Sequence, residues 1–89
     1  MRIISGFCVR EILDEVIAIP TGQAAQSFSG VISLNELGRF LFERLNQDQS
    51  VDTLVEAVTA EYEVDAATAR ADVEEFLTSL REKNLLVEE

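Results

Sequence analysis

The fold of this chain is decided at residues 30–45, which read GVISLNELGRFLFERL. The β-branched residues near its start predict a short strand over Gly30–Leu34. The apolar residues then change to the helical spacing i, i+3, i+4, i+8, at Leu37, Phe40, Leu41 and Leu45. Asn35 stands at the change and is a favoured N-cap, and Glu36 suits the positive end of the helix dipole. The stretch therefore predicts a strand that leads directly into an amphipathic helix.

Two further strands are predicted upstream, at Phe7–Ile12 and Glu15–Pro20. Only Leu13-Asp14 separates them, and so short a connection indicates a hairpin. The segment Thr21–Gly30 is small, polar and bounded by glycine, which predicts a loop. A hinge in this loop would permit a domain-swapped dimer as an alternative to a monomer.

Two more helices are predicted downstream. Ser50 is the expected N-cap of the second helix, and Asp65 that of the third. The apolar positions of these helices are Val51, Leu54, Val55, Val58 and Tyr62 in the second and Ala69, Val73, Phe76, Leu77 and Leu80 in the third. Asn84 is expected to end the third helix, and Leu85–Val87 to close the core. The order predicts an α+β fold, a three-stranded antiparallel sheet followed by a three-helix bundle.

Composition and charge restrict the function classes. The chain has 89 residues, enough for one domain over residues 1–89, and a formal net charge of −10 at neutral pH. So acidic a domain repels phosphate backbones and anionic membranes and favours a basic partner. No apolar run is long enough for a membrane span, no signal-peptide pattern opens the chain, and the single Cys8 suits a reducing compartment. We therefore expect a cytoplasmic protein.

Enzymatic chemistry is not expected from these residues. The sequence contains no histidine and one cysteine, which leaves out Ser–His and Cys–His nucleophile pairs and the commonest zinc sites. Carboxylates are abundant, but no spacing singles out a pair. We expect no catalytic residue, no metal site and no cofactor.

Gly38 breaks the local rules, because a glycine inside a helix costs about 1 kcal/mol relative to alanine. Its presence indicates that another backbone approaches the helix closely there. Direct contact with a ligand is the alternative.

The stretch Ile32–Gly38, with the aromatic residues Phe40 and Phe42 and then Leu45, resembles the central motif of the PqqD family, named for a protein of pyrroloquinoline quinone biosynthesis. The later run Asp72–Leu77, followed by Leu80 and Leu85-Leu86, resembles that family's last helix and closing leucines. The leading GFCVREI fits its first strand. The resemblance covers roughly residues 5–87.

The resemblance implies a winged helix-turn-helix-like domain that recognises the leader of a ribosomally synthesised precursor peptide. Such domains work beside a radical S-adenosylmethionine maturase, which modifies the peptide, and do no chemistry themselves. In relatives the leader adds as a strand to the edge of the third strand and lies against the third helix. The expected peptide-binding residues here are Val31, Ile32, Ser33 and Leu34 on the strand, and Ala66, Ala69, Arg70, Val73 and Leu77 on the helix.

There are physical reasons to expect that these residues bind the peptide, but each can also be explained by a purely structural role. A short, uncharged edge strand offers backbone groups to a peptide, and small alanines would leave a groove with Arg70 at its rim. Alternatively, Ala66 and Ala69 only permit close packing and Arg70 is solvated. At the level of function, the alternatives are an adaptor that binds only the maturase and a winged-helix DNA-binding protein, although the acidic third helix argues against DNA.

Overall fold

The computed structural model describes residues 1–22, 25–26 and 30–88. In chain order the strands and helices are β1 (Arg2–Ile3), β2 (Phe7–Ile12), β3 (Glu15–Pro20), β4 (Ile32–Leu34), α1 (Glu36–Arg44), α2 (Val51–Glu61), α3 (Ala66–Glu82) and β5 (Leu86–Val87). Strands β2, β3 and β4 form an antiparallel sheet in that order, and the three helices follow it. This confirms the predicted α+β fold. Of the loop expected at residues 21–30, positions 23–24 and 27–29 lie outside the described residues.

The predicted hairpin is formed by β2 and β3, which pair along their whole length. Leu13 and Asp14 make the turn with φ values of 50° and 67°. Positive φ at both central positions defines a type I′ turn, whose twist matches that of paired strands and which normally holds Asn or Gly. The Leu13 side chain is 93% exposed, so packing contributes little to holding this bulky residue in a disfavoured conformation.

The conformation of Leu13 leads to a stability prediction. Leu13→Asn is expected to raise the free energy of unfolding by about 1 kcal/mol, because Asn enters the left-handed region at lower cost. Urea denaturation of both proteins measures the difference. Leu13→Val is the control and is expected to lower stability, since a β-branched residue tolerates positive φ poorly. An unfolding midpoint lower for Leu13→Asn than for the wild type would show that the leucine side chain is stabilising.

A second, two-stranded sheet joins the beginning of the chain to its end. Strand β1 pairs antiparallel with β5, with Arg2 opposite Val87 and Ile3 opposite Leu86. The backbone N–H of Ile3 also donates to the carbonyl of Leu45, 2.9 Å away, at the end of α1. Leu85 is buried, as expected of a segment that closes the core. The pairing itself was not predicted, because two-residue strands carry no measurable periodicity.

The helices begin at the predicted caps. The side chains of Asn35, Ser50 and Asp65 accept hydrogen bonds from the backbone N–H groups of Gly38, Thr53 and Thr68. The bond from Thr68 holds the pKa of the Asp65 carboxyl below its usual value. Helix α3 ends at Glu82, and Asn84 follows with a φ of 59°, the left-handed conformation typical of residues after a helix.

One hydrophobic core lies between the sheet and the helices. Its buried residues are Ile3, Ala18, Ile32, Leu34, Leu41, Phe42, Leu45, Leu54, Val55, Val58, Ala69, Val73, Leu77, Leu80 and Leu85. The rings of Phe7 in β2 and Phe42 in α1 meet edge to face, with centroids 5.8 Å apart, and tie the hairpin to the helices. Phe76 differs from the expectation, since it is only half-buried at the margin of the core.

Candidate functional site

Strand β4 is an edge strand. It pairs with β3 through Ile32–Ala18, Ser33–Ile17 and Leu34–Val16. Among residues 1–22, 25–26 and 30–88, no strand pairs with its other edge. Alternate backbone N–H and C=O groups on that edge are therefore available to an added strand.

The side chains of β4 alternate as the sequence predicts. Ile32 and Leu34 point into the core and are buried, whereas Ser33 is exposed. Val31, directly before the strand, is 54% exposed. The two buried residues anchor the strand and pair with Val16 and Ala18 of β3, so the outward backbone groups belong to Ser33 between them.

A groove runs beside the open edge of β4, between this strand and α3. We call it the β4 groove. Its cavity volume is about 320 Å³. It is lined by residues 31–35 from the strand side, Gly38 from α1, and Phe76, Ser79, Leu80 and Lys83 from α3.

The β4 groove continues past the end of the strand, along the start of α1. This second part shares Asn35, Gly38, Phe76 and Ser79 with the first part. Its further lining residues are Leu37, Leu41, Asp72 and Glu75. One continuous channel therefore passes from Lys83, at one end, to two carboxylates of α3 at the other.

Gly38 makes this channel possible. A Cβ atom at this position would lie 3.0 Å from Asn35 Oδ1 and 3.4 Å from Phe76 Cε1. The groups nearest to Gly38 are thus side chains and not a second backbone, which corrects the packing expected from the sequence. The N–H of Gly38 donates to that same Asn35 oxygen over 2.7 Å. The glycine lets the cap of α1 and the ring of Phe76 come together at the floor of the groove.

The α3 residues predicted from the sequence do not line this groove. Ala69, Val73 and Leu77 are fully buried in the core, so their side chains are closed to a surface ligand. Ala66 and Arg70 are exposed, but they lie on another side of the helix. Since successive residues turn by about 100°, Arg70 and Asp72 lie on nearly opposite sides of α3, roughly 160° apart around its axis.

Arg70 is held by α2. Its Nη2 donates to Asp52 Oδ1 over 2.6 Å, and its Nη1 lies 4.0 Å from Glu74 Oε1. The hydrogen bond to Asp52 raises the pKa of the Arg70 guanidinium above its usual value. The rim position expected for this arginine is therefore not where the structure places it, because Asp52 draws it toward the start of α2.

The helix side of the groove consists instead of α3 residues that the sequence did not predict to bind the peptide. They are Asp72, Glu75, Phe76, Ser79, Leu80 and Lys83. Four of them, Asp72, Phe76, Ser79 and Lys83, follow the helical spacing i, i+4, i+7, i+11 and so lie along one side of α3. One feature of the sequence could have indicated this side of α3. Ser79 is a small residue one helical turn after the aromatic Phe76, on a face that borders the buried residues of the helix.

Within residues 1–22, 25–26 and 30–88, no group of three or more Cys, Asp or Glu side chains is arranged to hold a metal ion. In the same part of the chain, no helix is both long and apolar enough to cross a membrane.

Comparison with known proteins gives two matches. Residues 15–86 match the family described as coenzyme PQQ synthesis protein D (PqqD). The whole chain superposes on the solved structure of TbiB1 in complex with the TbiA(beta) leader peptide, with a TM-score of 0.74 and 27% sequence identity, covering 100% of this chain and 98% of the other. No curated protein sequence matches the chain.

Proposed function

Since this chain belongs to the PqqD family, we propose that it binds the leader of a ribosomally synthesised precursor peptide by strand addition to β4. The open edge of β4 beside a groove is the observation that carries the proposal. TbiB1, which shares the fold along its full length, binds a leader peptide.

Strand addition uses the backbone of β4, so even this three-residue strand can bind a peptide. A peptide in the extended conformation would form main-chain hydrogen bonds with the outward backbone groups of β4. Its alternate side chains would then point into the β4 groove, toward Gly38, Phe76 and Ser79. The backbone bonds supply affinity for many sequences, and the groove supplies selectivity.

The same proposal extends to the partner enzyme. In this role the domain, taken over residues 1–89, presents the bound leader to a radical S-adenosylmethionine maturase in the cytoplasm and performs no chemistry itself. Family membership supports this assignment. The open strand edge bordered by a groove favours peptide binding over an adaptor that binds the maturase alone.

Ser33→Pro tests the strand edge. Proline removes one backbone donor of β4 and restricts Ile32, and an unsatisfied partner group costs about 1–3 kcal/mol, so affinity for the leader should fall roughly fivefold to a hundredfold. The measurement is calorimetric titration with a synthetic leader peptide, taken from a short precursor peptide once one is identified among the neighbouring genes.

The matched control is Ser33→Ala, which keeps the backbone N–H and should bind like the wild type. Thermal unfolding of both variants separates lost binding from a lost β3–β4 pairing. If the wild type does not bind the leader, or if bound leader shifts the NMR signals of α2 and leaves those of β4 unchanged, the proposed function is wrong.

A further inference from the structure

The end of β4 is surrounded by carboxylates from two separate elements. On the helix side of Asn35, Asp72 and Glu75 line the groove. On the hairpin side, Asp14 and Glu15 line a cavity that also includes Ser33, Leu34 and Asn35. The two acidic pairs thus lie on different sides of Asn35, the residue that follows β4 and lines both cavities.

Little in the described part of the chain neutralises these four carboxylates. None of them forms an ion pair with a described residue. Arg39, Arg70 and Arg81 are paired with other acids, and Arg44 lies over the ring of Phe40. The start of α1 carries a partial positive charge, but Asn35 already caps it.

The opposite end of the β4 groove has the opposite charge. Lys83 lines it there, and its Nζ donates to Ser79 Oγ over 3.0 Å. The groove therefore has a polarity, acidic where β4 ends and basic beside Val31. A charged strand lying in it would be attracted in one register and orientation and repelled in the reverse one.

Building on the proposed function, we propose that the leader recognised by this protein carries lysine or arginine residues at the end of its strand-forming segment, where they meet Asp14, Glu15, Asp72 and Glu75. These acids select the leader by charge, while the backbone of β4 holds it. A leader with acidic residues in that position is rejected, because its charges would repel the four carboxylates.

Selection from a phage-displayed library of random 20-residue peptides tests this inference without assuming a natural ligand. The expected binders contain an alternating apolar segment with Lys or Arg concentrated at one end. The best binder is then synthesised, together with a version in which those basic residues are replaced by glutamate. At 20 mM salt the replacement should weaken binding roughly tenfold or more, and the difference should shrink at 500 mM salt.

Charge reversal on the protein tests whether the basic residues of the peptide contact Asp72 and Glu75. Asp72→Lys with Glu75→Lys should weaken binding of the basic peptide and restore binding of its glutamate version. The control is Glu56→Lys with Glu63→Lys, which makes the same change in net charge at exposed positions outside the groove. This control should leave the order of the two peptides unchanged.

The outcomes separate the two proposals. Peptides that bind at β4, as judged by loss of binding to Ser33→Pro, but show no basic end would overturn the charge inference and leave the proposed function standing. Equal effects of the groove and control pairs would overturn it as well, since only net charge would then matter. A library that yields no binder, or binders unaffected by Ser33→Pro, would contradict the proposed function itself.

Discussion

Leu77→Ala is expected to lower the free energy of unfolding by about 2–5 kcal/mol, because it removes a fully buried side chain and leaves a cavity in the core. The affinity of the folded protein for its leader should remain close to that of the wild type, since Leu77 does not line the β4 groove. Urea denaturation and titration below the unfolding transition measure the two quantities separately.

The matched variant is Ser79→Trp, two positions further along α3 and on the groove side. It should keep most of the stability, because the new side chain extends into open space, and it should reduce leader binding by filling the groove. If leader affinity falls in Leu77→Ala and is kept in Ser79→Trp, the leader binds the side of α3 that was predicted from the sequence and not the β4 groove.

Gly38→Leu is expected to act on stability and on binding together. An added Cβ atom at this position would lie only 3.0 Å from Asn35 Oδ1, and the rest of a leucine side chain would press on Phe76. Overpacking of this kind costs about 1–3 kcal/mol. The same side chain would occupy the floor of the groove, so the folded fraction should bind the leader more weakly. Thermal unfolding and calorimetric titration measure the two effects.

Gly38→Ala is the graded control. Alanine gains about 1 kcal/mol in helix propensity, and its Cβ strains the capping bond of Asn35 by a similar amount, so the net change in stability should be small. An unchanged unfolding temperature in Gly38→Leu would show that Asn35 and Phe76 move aside easily and that the site is open.

The sequence predicts local structure in this protein well. The change from strand to helix at Asn35, the two-residue hairpin connection and the three helix caps depend on residues within a few positions of one another, and all are confirmed. Resemblance in the same stretch also indicated the family, which the match over residues 15–86 confirms.

The sequence does not predict which side of α3 borders the β4 groove. Periodicity separates buried from exposed positions, and it correctly places Ala69, Leu77 and Leu80 in the core. Two half-exposed faces border that stripe, however, and the sequence does not say which of them lies next to β4. The choice is made by how α3 packs into the core with residues of the sheet and the other helices, most of which are distant in the sequence.

The pairing of β1 with β5 has a consequence for the order of folding. The hairpin and the helices are built from contacts between neighbours in the chain, which form early. Strand β1 can pair only after α1 and α3 have brought Leu45 and Leu85 together, because it closes a loop of nearly the whole chain at the largest entropic cost. Backbone hydrogen exchange at Ile3 and Ile4 should therefore proceed through local opening of the β1–β5 pairing, before the core around α3 opens.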